Sequence, residues 1–135
     1  MARETSSGSV FQVDYERKIV CLRFDQDYPR TDAEMDSFLQ AFYERLYRQG
    51  RWCLHVYLDS VPGEFARRYT GKLQAFIKKH REESKVRIAY TLFETQKTWV
   101  RLLMQLVFNL APPASPYIFT SMPAQTEAYY QAHKP

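Results

Sequence analysis

The side chains able to do chemistry are few and far apart. The three histidines are His55, His80 and His133. His55 sits between Leu54 and Val56 and reads as a hydrogen-bonded core residue. His80 ends a basic segment, where the C-terminal end of a helix favours a cation, and His133 falls in the tail. Residues so scattered do not make a metal site. No Cys-x-x-Cys, His-Glu-x-x-His or Gly-x-Ser-x-Gly pattern occurs. Gly8, Gly50, Gly63 and Gly71 are too widely separated for a phosphate-cradling loop. Asp59 is expected at the C-terminal end of a central strand, where open α/β sheets bind ligands. Asp-Ser ahead of a helix is also ordinary capping chemistry, and Asp59 reads as a turn or cap residue. With no visible pairing of nucleophile and base, the chain reads as non-enzymatic, with no cofactor and no metal.

Two concentrations of residue type stand out. Residues 61–101 carry a net charge of +6, whereas residues 1–60 carry −2 and residues 102–135 balance. Within the basic stretch Arg67, Arg68, Lys72, Lys78, Lys79 and Arg81 could hold a phosphate, a nucleic acid or an anionic partner surface. A solvated helix face is the plainer account of them. Phe65, Tyr69 and Phe76 fall on the apolar stripe of this helix, not among its cations, unlike a base-stacking platform.

The second concentration is Thr98–Leu110. Arg101, Gln105 and Asn109 recur every four residues as one narrow polar line, and the other residues from Trp99 onward are apolar. A helix lying on a sheet needs an apolar stripe of only about 100° or a little more. The surplus calls for a partner or a flanking helix. Trp99, Leu103, Leu106, Val107, Phe108 and Leu110 are the candidate contact residues for another protein or a second copy.

The elements that must position these residues follow from periodicity. Val10–Tyr15 and Ile19–Phe24 alternate with period two about a short polar break, predicting a hairpin. Thr31 and Glu34 form a capping box. The stripe Met35, Phe38, Leu39, Phe42 and Leu46 then predicts a helix that Gly50 stops. Trp52–Leu58 is almost continuously apolar, as in a strand covered on both faces. A basic helix follows over roughly 62–82. Lys85–Leu92 alternates again and predicts a strand. The helix at Thr98–Leu110 ends at the proline-rich segment 111–116. A short strand over Tyr117–Thr120 and a helix opened by Ser121 and Pro123 complete the chain. The order β-β-α-β-α-β-α-β-α predicts an α/β domain with a mostly parallel mixed sheet and packed helices.

At 135 residues with 45% hydrophobic side chains the chain makes one domain. It is assigned to residues 10–130, with a flexible segment 1–9 and a tail 131–135. Cys21 and Cys53 lie inside apolar runs and read as buried free thiols; a bridge between adjacent strands is permitted but not required. The N-terminus lacks the apolar core of a signal peptide. The longest apolar run falls short of the about 20 residues that span a bilayer. A cytoplasmic protein is the expectation.

This order of elements resembles a STAS domain, the fold of bacterial anti-anti-sigma factors, over about Val10 to Tyr130. Leu58-Asp59 closes the strand where that family has its aspartate. Thr70-Gly71 lies near the family's phosphorylatable Ser/Thr-Gly, and Phe119–Ala128 resembles its final strand and following helix. The family's Asp-x-Ser-Gly loop and Asp-Ser-Ser-Gly helix start have no counterpart; Pro62-Gly63 opens the helix early and Arg67-Arg68-Tyr69 precedes Thr70. The resemblance implies a non-catalytic, regulatory interaction domain. It makes Thr70, and secondarily Ser60, candidate phosphorylation positions, with Arg67 and Arg68 placed to pair with the phosphate.

Overall fold

The computed structural model describes residues 3–6, 11–24, 29–47, 50–59 and 62–135. Six strands form one sheet in the order in which they occur in the chain. They are β1 (Arg3–Ser6), β2 (Phe11–Asp14), β3 (Ile19–Arg23), β4 (Trp52–Tyr57), β5 (Ile88–Glu94) and β6 (Tyr117–Thr120). The pairs β1–β2 and β2–β3 are antiparallel, and β3 to β6 run parallel. The molecule is thus an α/β domain with a mixed sheet. Its first strand falls in the segment 1–9 that the sequence placed ahead of the domain.

The helices are α1 (Asp32–Leu46), α2 (Gly63–Arg68), α3 (Thr70–Lys79), α4 (Arg81–Arg87), α5 (Thr98–Leu110) and α6 (Pro123–His133). Each parallel crossover steps one strand further in the same direction, and crossovers share one hand. The connecting helices therefore gather on one face. There Val20, Leu22, Leu54, Val56 and Phe93 pack with Phe42 and Leu46 of α1 and with Val100, Met104, Val107 and Phe108 of α5. Alternate strand residues point the other way. Ile19, Cys53, Tyr90 and Leu92 form a smaller core with Tyr130 of α6. Strand β4, buried from Trp52 to Val56, lies between the two layers.

The capping box at α1 forms as its residues dictate: the Glu34 amide donates to Thr31 Oγ1 at 3.1 Å. Helix α1 ends at Leu46, and Gly50 takes the left-handed conformation beyond it, at φ 80°. The predicted long basic helix is instead a kinked run, α2 to α4. It breaks at Tyr69 and His80, although the amides of Leu73 and Ser84 still donate across the breaks to their carbonyls. Both break residues are held by the core. Tyr69 is 1% exposed. The His80 ring lies 4.4 Å from Tyr43 and 4.6 Å from Phe76.

Lys85, Val86 and Arg87, expected in a strand, end α4, and Val86 faces solvent. The pairing then jumps from Trp52↔Ile88 to Cys53↔Tyr90. This bulge sends Ile88 to the side of α1 and α5 but Tyr90 and Leu92 to the α6 side. Simple alternation had put all three on one face. Among the described residues no helix is long and apolar enough to cross a membrane.

Candidate functional site

Helix α5 carries the surplus apolar surface, and the structure divides it into three. Val100, Met104, Val107 and Phe108 are buried against the sheet. Trp99 and Leu103 are half-buried and turn toward α3, lining a cavity with Leu73 and Phe76. Leu102, Leu106 and Leu110 remain 60%, 52% and 60% exposed. They stand four residues apart, so they form one line along the outer face of the helix. Arg101, Gln105 and Asn109, also exposed, run beside them. The Arg101 guanidinium reaches toward the Phe119 ring, 5.9 Å from its centroid. No acidic residue occurs on α5.

Of the six contact residues expected from sequence, Leu106 and Leu110 are therefore at the surface. Val107 and Phe108 belong to the core, because their positions on the helix point at β5 and β6; Phe108 packs 5.7 Å from Phe93 and 4.5 Å from Tyr117. Leu102 completes the exposed line. Its spacing from Leu106 and Leu110 was visible in the sequence, but which of the apolar lines would face outward was not.

The basic residues do not form one continuous face. Arg68 pairs with Asp32 at 3.5 Å and Lys72 with Asp36 at 2.8 Å, clasping α2 and α3 to α1. Arg81 donates to the Pro112 carbonyl. Arg67, Lys78 and Lys79 are exposed. Thr70 is half-buried as the first residue of α3. Ser60 lies outside the described residues.

Asp59 stands two residues beyond β4. Its carboxylate accepts from the Thr95 hydroxyl and, at 3.1 Å, from the Gln96 amide, tying the end of β4 to the β5–α5 loop. It borders a polar cavity of about 170 Å³ at the C-terminal ends of β3, β4 and β5, with Arg23, Tyr57, Glu94 and Ser121. Arg23, Tyr57 and Glu94 are engaged within the protein. Arg23 lies 4.1 Å from the Tyr57 ring centroid, and Glu94 accepts from Thr126 at 2.8 Å. Burial pushes the Tyr57 hydroxyl up to about 12.

On the α6 side His55 Nε2 lies 2.7 Å from the Tyr90 hydroxyl. Burial, with Arg17 nearby, lowers the imidazole to about 4, so it is neutral at pH 7. Burial also pushes the Cys53 thiol up, partly offset by a hydrogen bond with Tyr90. Cys21 and Cys53 are not joined in a disulfide. Among the described residues no group of three His, Cys, Asp or Glu side chains is placed to hold a metal ion.

No family model, curated protein or solved structure matches the chain.

Proposed function

We propose that this protein is a non-catalytic, STAS-like interaction domain of the cytoplasm that pairs with a second copy of itself through the outer face of α5. The observation that carries this reading is the exposed line Leu102, Leu106 and Leu110 on a helix whose opposite face is already satisfied by the core. Contiguous exposed apolar surface on an otherwise well-packed domain marks an interface. The polar residues beside the line favour a second copy over a charged partner. Arg101 is the one charge on α5, and it lies near the N-terminal end. An antiparallel partner copy would hold the two Arg101 side chains at opposite ends. Gln105, beside Leu106 at the centre of the line, carries an amide that both donates and accepts, so it can satisfy its counterpart across a two-fold axis.

Sedimentation velocity of the wild type and of Leu106→Glu tests the proposal. The expected result is a wild-type dimer and a folded, monomeric variant whose melting temperature lacks the concentration dependence that pairing gives the wild type. A wild type that stays monomeric as its concentration is raised overturns it. The alternative is binding of an anionic ligand or nucleic acid through Arg67, Lys78 and Lys79. It requires affinity that falls steeply with salt. The pairing of Arg68 and Lys72 with α1 leaves it fewer cations than the sequence offered.

A further inference from the structure

Helix α3 is amphipathic, yet none of its residues is fully buried. Leu73, Phe76 and Ile77 pack against the core but are only half-covered. A cavity of about 170 Å³ lies there, between α3, α1, α5 and the sheet. An apolar cavity of about 150 Å³ stays dry and can hold a benzene-sized molecule. This one has a different shape. Its wall runs from Leu58, past Val56 and Leu54, to Ile88, which pairs with Trp52. Six residues of strand correspond to about 20 Å. The slot thus extends along the strands over a length that suits a chain better than a single ring.

The two ends of the slot differ. Phe24, Phe38 and Trp99 line the end near Leu58. Ser84 and Ser115 line the end near Ile88. At this second end α4 carries Glu82, paired with Lys85, and Glu83, held by Tyr43 and His80, and three arginines stand beside them. Arg81 reaches the Pro112 carbonyl next to the slot's Pro113, Arg51 reaches the Lys85 carbonyl, and Arg87 reaches the Gly50 carbonyl. We infer that the slot under α3 is a binding site for a fatty acid, its alkyl chain along the strands and its carboxylate at the Ser84 and Ser115 end beside Arg81. Occupancy adds to the contacts of Leu73, Phe76 and Ile77, and ties α3 more firmly to the sheet.

Dodecanoic acid, below its micelle concentration, is the probe, with calorimetric titration and thermal melting as readouts. The wild type is expected to bind one molecule saturably and to melt at a higher temperature with it. Leu103→Trp and Ile77→Trp each fill the slot from a different helix. Whichever of them folds, by circular dichroism, is expected to lose about tenfold or more in affinity. Arg81→Gln should weaken binding without abolishing it. Leu106→Glu, on the outer face of α5, should bind as the wild type does, which separates this site from pairing of the copies. Absence of saturable binding to the wild type overturns the inference, as does undiminished binding to a folded slot-filling variant. Equal affinity for dodecyltrimethylammonium overturns the carboxylate assignment.

Discussion

His55 is a residue whose charge state the fold decides. Its folded value near 4 lies below the 6.5 of an unfolded histidine. Between pH 4 and 6.5 the unfolded chain therefore holds more protons than the native one, and stability rises with pH across that window. From pH 7 down to 5 this histidine alone should cost about 2 kcal/mol of unfolding free energy. His55→Gln, which keeps a hydrogen-bonding group for Tyr90 and cannot titrate, should lose that much less over the same interval in urea denaturation. An identical pH dependence in both proteins would show that the imidazole is not held neutral. That His55 is hydrogen-bonded in the core was legible from its apolar neighbours. Its partner was not, because the bulge that turns Tyr90 toward it depends on how β5 pairs with β4. Asp59 was likewise placed correctly at a strand end, but its bonds to Thr95 and Gln96 join loops far apart in sequence.

At the scale of elements, α1 and α5 were legible because their spacing and ends are local. The Thr31–Glu34 box and the stripe through Leu46 need no tertiary information. The run from Gly63 to Arg87 was less so. Its apolar spacing suits one helix, and the break at His80 falls where that ring packs on Tyr43 and Tyr47. Helix α6 is attached by a few contacts that the sequence did not signal. The Tyr130 hydroxyl donates to the Arg17 carbonyl at 3.0 Å, and Arg17 forms a double hydrogen bond with Glu127 at 2.7 and 2.8 Å. The ion pair is exposed and worth at most about 1 kcal/mol, so the buried ring should dominate. Tyr130→Ala is expected to destabilise by about 3 kcal/mol or more, against a few tenths for Glu127→Gln, measured by chemical denaturation. Within α5, Met104→Ala should cost about 2–5 kcal/mol. Leu106→Ala should change the stability of the monomer by no more than about 0.5 kcal/mol. Equal losses at the two positions would place Leu106 in the core.

For the whole molecule, strict alternation of strands and helices was enough to imply an α/β fold with a mixed, mostly parallel sheet. It could not reveal β1, which is short and polar, nor the split of the helices into a heavy layer and a single α6. That asymmetry matters for pairing. The heavy layer places α5 outward with three leucines in line, while α6 covers the smaller core on the far side. An antiparallel, two-fold pairing puts the middle leucine of the line nearest its own counterpart. The direct test is oxidative cross-linking in a Cys21→Ser/Cys53→Ala background, with a single cysteine introduced at 106 on the α5 line or at 85 on α4. Pairing through α5 predicts rapid formation of a covalent dimer by Leu106→Cys and none by Lys85→Cys. A Leu106→Cys protein that stays monomeric, or equal cross-linking at both positions, would contradict it.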